Sequence, residues 1–391
     1  MRKVSTEERR ARLTRRHFLA PDAKARSFVE LARELVGLHA SDPASVYLAA
    51  HARVSDASVA EIERALYDDR TVLRMIGMRR TMFVVPLDLA AIVRAACTNA
   101  IAAAQRRRYA KVMEEAGITR DGAEWLEAAG RDALAALEAR GQAFAAELSA
   151  DVPRLREKLT YGEGKSWAGS QSMTTWVLFL LAAEGRIVRG RPRGTWTGSQ
   201  WSWVPAPSWL DEPLPELDAD TARAELVRRW LGAFGPGTLT DLRWWSGLTA
   251  AQVKAALAAI AAVEVSLDGG TGLVLGDDDE PVPAPEPSAA LLPALDPTTM
   301  GWKERDWYLG AHAVMLFDTN GNAGPTVWWD GRVVGGWMQR KDGEVVYGLL
   351  EDLGADARAA IDAEAARLSA WIGDVRVTPR FPTPFHRELA G

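Results

Sequence analysis

Three times along this chain, helical segments run into a β-rich hairpin, and that recurring order limits the fold more than any single residue does. The first round has helices over residues 5–19, with Thr6 as cap, and over 24–38, where Phe28, Leu31, Leu35 and Leu38 recur at helical spacing. A third helix starts after Pro43 and reaches about His51, and Ser58 with Glu61 opens a fourth as a capping box. Residues 71–76 and 81–85 are then β-rich around Gly77. Helices followed by a basic hairpin describe a winged helix, with Arg79 and Arg80 near the wing tip.

The second round has an alanine-rich helix over 88–116, a helix over 121–139, two short helices over 144–149 and 152–159, and a loop over 162–169. An apolar helix over 173–183 ends at Gly185 in a C′ position. Strands over 186–189 and 200–204 then bracket a tip of glycines and arginines that suits phosphates. After a proline-rich connector over 205–217, the third round has helices over 219–234, from Thr240 through Trp245, and from Thr249 to about Ile260. Its hairpin, 263–267 with 273–275, turns on residues without basic side chains. Residues 276–290 are acidic and then Pro- and Ala-rich, as a linker is. Beyond it, strands are expected over 313–317, 326–329, 332–340, 345–350 and 375–377, with a helix over 355–371; Asp330-Gly331 suits a type I′ turn. The expected architecture is α+β and mainly helical. It comprises winged-helix units over 1–87, 88–205 and 206–276, a linker over 277–292 and an antiparallel β-barrel-like domain over 293–391.

A chain of 391 residues is too long for one core. Its one cysteine, Cys97, excludes an intramolecular disulfide and any multi-cysteine zinc site. Five scattered histidines carry no paired metal spacing, so neither metal nor cofactor is expected. No apolar run is expected to span a membrane, and the charged N-terminus lacks an apolar signal core, which makes a cytoplasmic protein the expectation; with no coiled coil or obvious self-association helix, a monomer is expected. Residues 162–166, Gly-Glu-Gly-Lys-Ser, lack the first glycine and the preceding strand of a phosphate loop. The net charge of −5 argues against a nonspecific nucleic-acid coat. Positive charge is nevertheless clustered at Arg9 to Arg16, Arg79 and Arg80, Arg106 to Arg108, and Arg186, Arg189, Arg191 and Arg193, against an acidic run at 277–280. One basic face with an acidic back gives this pattern. Sixteen tryptophans include the pair Trp328 and Trp329; adjacent strand residues face opposite sides, so one is expected to be buried and the other, with Arg332 beyond the turn, is a candidate to contact DNA, with core packing the favoured role for most of the sixteen.

Residues 35–43, Leu-Val-Gly-Leu-His-Ala-Ser-Asp-Pro, are where an apolar helix gives way at once to chemically able side chains. Ser41 and Asp42 before Pro43 fit an N-cap with proline at the first helical position. From these residues alone, a capped loop with a satisfied histidine and a catalytic junction both stand.

The stretch resembles the signature of the bacterial winged-helix DNA glycosylases related to the azinomycin-resistance enzyme, Leu-Val-Gly-Leu-Gln-x-Gln, a polar residue and Pro. Residues 35–38 and Pro43 match; His39 and Ser41 replace the two glutamines. Further matches are Met-Arg-Arg-Thr at 78–81, Leu-Asp-Pro at 295–297 and Gly-Pro-Thr-Val at 324–327 running into Asp330-Gly331, so the resemblance covers nearly the whole chain. It implies water attack on the N-glycosidic bond of N7-alkylated guanine in double-stranded DNA. It assigns His39, Ser41 and Asp42 to the chemistry: His39 to accept a proton, Ser41 to hold the water, Asp42 to orient His39, steady the cation or cap the helix. A serine smaller than glutamine leaves room for a bulky, antibiotic-derived adduct. The alternatives are a non-catalytic winged-helix DNA-binding protein or transcription regulator, and a protein that sequesters a planar drug.

Overall fold

The computed structural model describes residues 1–161, 169–278 and 280–390. Ser5 rather than Thr6 caps α1 (Thr6–Arg16), because its hydroxyl accepts the Glu8 N–H at 3.2 Å. Helix α2 (Phe28–Glu34) is about half the expected length. Val36 and Gly37 take φ values of 54° and 96°, which reverse the chain and turn Leu38–His39 into strand β1. A Cβ on Gly37 would lie 2.8 Å from Val85 Cγ1, so the reversal requires glycine. Helix α3 (Pro43–Arg53) follows at once, with Asp42 as N-cap. The expected hairpin forms as β2 (Val72–Ile76) and β3 (Met82–Pro86), giving a sheet of order β1-β3-β2 with Arg79 and Arg80 at the hairpin tip.

The next helical stretch, Leu87–Glu115, runs on through a π turn at Arg94–Thr98. Contrary to expectation, it is long and apolar enough to cross a membrane, with a mean hydropathy of 1.4 over 18 residues. Alanine supplies that hydropathy, and 56% of the window is buried inside the protein. Strand β4 (Ala143–Phe144) precedes the helix Ala145–Asp151. The helix expected over 152–159 is only a 3₁₀ turn, Pro153–Arg156, followed by a hairpin of β5 (Lys158–Tyr161) and β6 (Gly169–Ser172). The Gly-Glu-Gly-Lys-Ser stretch lies outside the described residues. After helix Met173–Ala183 come β7 (Ile187–Pro192) and β8 (Trp201–Pro205), in a sheet of order β4-β8-β7. In the third round, Thr238 rather than Thr240 caps Leu239–Ser246, since Asp241 completes a capping box with it. Thr249 caps Ala250–Ala259 as expected, and β9 (Val263–Leu267) pairs with β10 (Gly270–Val274).

The C-terminal part is not a barrel. Strands β11 (Ala289–Leu292), β12 (Thr326–Trp329), β13 (Arg332–Gln339) and β14 (Val345–Leu349) make an open antiparallel sheet in that order, backed by helix Gly354–Ile372. Strand β11 takes up the end of the expected linker. Ala313–Leu316 is a short helix instead of a strand, and residues 375–377 do not extend the sheet. There the Val377 N–H is satisfied by the Gln339 side chain at 2.8 Å instead of by a strand.

A fully buried ion pair ties this part to the first. Arg53, the last residue of α3, donates to both carboxylate oxygens of Asp296 at 2.9 and 2.6 Å. The same guanidinium reaches the His17 carbonyl and the Thr298 hydroxyl. His17 bridges Thr298 and the carbonyl of Ala233. Removing one charge leaves the other buried and unpaired, at a cost of about 3–5 kcal/mol. Asp296→Asn is expected to lower stability by that order, read as a shift of the urea midpoint.

Candidate active site

The motif is held from its backbone outward. Leu38 and His39 pair with Val84 and Phe83, and the Ala40 N–H donates to the Met82 carbonyl at 2.8 Å. Two guanidiniums fix the next carbonyls. Arg74 donates to the Ala40 oxygen at 3.2 Å, and Arg380 donates to the Ser41 oxygen at 3.2 Å. His39 is buried beside Phe83, with ring centroids 5.2 Å apart. Its Nδ1 accepts a long bond, 3.5 Å, from the Ser41 N–H, which puts the proton of the neutral ring on Nε2. Burial, and then the nearby charge of Arg79, push its pKa down to about 3, so the ring is neutral at physiological pH. Ser41 is half-exposed.

Asp42 is committed to structure. Its carboxylate accepts the Ala44 N–H at 3.1 Å and the Arg380 N–H at 2.9 Å, and it makes no hydrogen bond to His39 among the described residues. Burial raises its pKa. Of the three roles implied for Asp42, the structure gives it the cap.

The basic residues divide. Arg79 lies 4.0 Å over the Trp244 ring, its Nε buried without a partner, and burial lowers its pKa to about 10. Arg305 faces the same indole at 5.0 Å. Arg80 is exposed, 5.3 Å from the Phe179 ring. Arg189 lies over Trp201 and Trp203 at 4.8 and 5.1 Å, and Arg193 over Phe144 at 4.3 Å. Arg191 instead forms ion pairs with Glu63 at 2.6 Å and Asp68 at 3.0 Å, so its charge is compensated within the protein. Trp328 is the buried member of its pair and Trp329 is half-buried. The turn after Trp329 packs on α1, where Gly331 abuts Arg10 and Thr14. Arg332 pairs with Glu351 at 2.5 Å. Trp329 and Arg332 thus belong to the C-terminal sheet, whereas His39, Ser41 and Arg79 come together. Sequence reasoning passed over Arg74, Arg380 and Trp201. A lone arginine in the otherwise apolar strand Val72–Ile76 was a readable signal for the first; nothing local marks Arg380.

A buried histidine on a short strand, with guanidinium groups on both sides, is chemistry suited to a polyanionic substrate. The chain belongs to the AlkZ-like DNA glycosylase family, whose model matches residues 32–371, and is accordingly a DNA N-glycosylase. Among solved structures it is similar to the DNA glycosylase AlkZ of Streptomyces sahachiroi, with a TM-score of 0.73 and 22% identity over 96% of this chain and 99% of that one, a likeness of fold. A search of curated proteins finds no match.

Two outcomes are expected. Gly37→Ala places a methyl group against Val85 at a left-handed backbone position, and should cost about 1–3 kcal/mol by thermal unfolding. His17, His39 and His51 are each held at about pKa 3 by burial. Their unfolded values lie near 6.5, so between those limits the unfolded chain takes up protons that the folded one refuses. Stability is therefore complete above about pH 6.5 and falls toward pH 3, by about 1.4 kcal/mol per pH unit for each histidine. Asp42, raised by burial, acts in the opposite sense. Denaturant titrations at pH 7, 6 and 5 measure the slope, and His39→Gln should flatten it by about one proton.

Proposed function

We propose that the chain is a monofunctional glycosylase that removes N7-alkylated guanines, bulky adducts foremost, by water attack at C1′. The observation that carries this is the neutral His39 ring, its Nδ1 turned to the Ser41 backbone N–H and its proton on Nε2, with serine at the second of the two places where the resemblance puts glutamines. Together they offer a donor and an acceptor, which is what an amide offers to a water. An N7-alkylguanine is already cationic. When the bond from C1′ to N9 breaks, its electron pair neutralises the base, so no acid is needed. Water oxygen bonds to C1′, its proton passes to solvent, and free 7-alkylguanine and an abasic sugar result. A ring with so low a pKa is a poor proton acceptor and a good positioner. The role supported for His39 is therefore to hold the water, not to deprotonate it.

A cavity that reaches the motif only through Arg74, with none of His39, Ser41 and Asp42 in its wall, supports a bulky adduct. A cavity of about 470 Å³ lies between the two arginine-bearing strands β2 and β7, lined by Leu73, Ile76, Met82, Phe179 and Leu210. Its wall includes Arg74, the same residue that holds the Ala40 carbonyl. Clearing damage from a DNA-alkylating natural product, by a cytoplasmic monomer, is the setting that this substrate implies.

The test is base release from duplex DNA carrying an N7-guanine adduct of an intercalating alkylator, read by cleavage at the abasic site. Wild type should release the base; His39→Ala and Ser41→Ala should each slow it by about 10²-fold. His39→Gln, which can position water but not accept a proton, should stay within about tenfold of wild type. Release of 7-methylguanine as fast as the bulky adduct would overturn the substrate preference. DNA binding with no release from either adduct would overturn the catalytic assignment of the substituted motif.

A further inference from the structure

We propose that Arg74, Arg189 and Arg380 form an anion site that takes a backbone phosphate of the DNA, beside the nucleotide presented to His39. The inference rests on the glycosylase reading above. Buried guanidiniums are normally paired with carboxylates, because an uncompensated charge in the interior is costly. Arg74 is 4% exposed, yet among the described residues the only hydrogen bond of its side chain is to the Ala40 carbonyl, and its Nε is buried without a partner. The Arg189 side chain, half-buried, makes aromatic contacts and, among the described residues, no hydrogen bond. Both guanidiniums lie over one indole, Trp201, at 5.1 and 4.8 Å. The Nε1 of that indole is also buried without a partner. Arg380 joins the group from the C-terminal segment through the Ser41 carbonyl. Among the described residues no carboxylate lies within 4 Å of any of the three guanidiniums. Burial lowers the Arg189 pKa to about 10, and the charges of Arg74 and Arg380 add to that, so the three repel one another across a shared space.

The contrast on the same strand is informative. Arg191, two residues from Arg189, is met by Glu63 and Asp68, and Arg53 is met by Asp296. Carboxylates meet Arg191 and Arg53, and among the described residues none pairs with the two guanidiniums over Trp201. The Asp42 carboxylate, which feels the Arg380 charge, is engaged by two backbone N–H groups, one of them Arg380's own, and lies more than 4 Å from the guanidinium. A register shift in β7 between Arg189 and Pro192 lets the two arginines take different surroundings. Every free group here is a donor: guanidinium N–H on three residues and one indole N–H. Such a set binds an acceptor of high charge density, and the guanidinium fork matches phosphate oxygens. Its position decides which phosphate. Arg74 and Arg380 hold the carbonyls of Ala40 and Ser41, so an anion bound there sits against the two residues that follow His39.

Binding of a duplex carrying a tetrahydrofuran abasic analogue would be measured by fluorescence anisotropy across sodium chloride from about 50 to 300 mM. For Arg189→Gln and Arg380→Gln, the slope of log K against log salt should fall by about 1 for each phosphate that is no longer neutralised. Arg340→Gln removes an exposed arginine paired with Glu344 and should leave the slope unchanged. Arg380 is exposed, so its variant keeps the test open if Arg189→Gln fails to fold. Slopes equal to wild type in both variants, with wild type still releasing base, would overturn this inference alone. Failure of wild type to bind DNA would instead remove the reading beneath it. Inorganic phosphate in place of chloride at equal ionic strength, without DNA, separates the two sources of the anion. A rise in melting temperature that Arg189→Gln abolishes, with salt slopes unchanged, would assign the site to free phosphate and overturn the backbone-phosphate proposal.

Discussion

The Arg53–Asp296 pair is the constraint on which the rest of the arrangement depends. It closes the far end of α3, whose near end starts two residues after Ser41. Through His17 and Thr298 it also reaches α1 and the helix Ala219–Phe234. Three separate stretches of chain therefore meet at one guanidinium, and the His17 ring joins a fourth to them. A buried ion pair contributes little net stability over a well-packed apolar substitute. What it supplies is direction: two parallel hydrogen bonds admit one relative placement of helix and loop, where apolar contacts would tolerate sliding. The motif at the other end of α3 inherits that placement.

The order of elements was legible because it rests on local rules. The hairpins β2–β3, β7–β8 and β9–β10 announce themselves by composition, and helices such as Ala250–Ala259 by their caps. Errors fell where two local rules competed. Thr238 and Thr240 both qualify as caps, and only the reach of Asp241 decides between them. The span 24–38 has helical periodicity to its end, but Val36 and Gly37 override it, because pairing Leu38 and His39 with β3 satisfies more backbone groups than another helical turn. Residues 313–317 and 375–377 look like strands by side-chain type, yet strand identity needs a neighbour, and neighbours are not local. The apolar stretch at 87–115 shows the same limit: composition alone does not say whether lipid or protein surrounds it.

The site was half legible. His39 and Ser41 stood out as polar residues at an apolar junction. The residues that hold their backbone, Arg74 and Arg380, come from positions 34 and 339 residues away and could only be assigned from coordinates. Charge clusters in the sequence were poor guides to free charge. Arg189 and Arg191 belong to one cluster, but one is compensated by two acids and the other by aromatic faces alone. An acidic protein can work on a polyanion in this way, by leaving a few arginines uncompensated where the polymer is to lie.

The short strand that carries His39 has a further consequence. Its path is set by Gly37 on one side, by the Asp42 cap and Pro43 on the other, and by backbone bonds to β3 between them. None of these involves the side chains at 39 or 41. The backbone path is thus set mostly from outside these two positions, and chemistry can diverge there provided that the residue at 39 fills the buried place beside Phe83 and meets the Ser41 N–H. A lineage with this backbone can exchange one pair of polar side chains for another and alter its choice of lesion, while the residues on either side stay bound to their structural tasks.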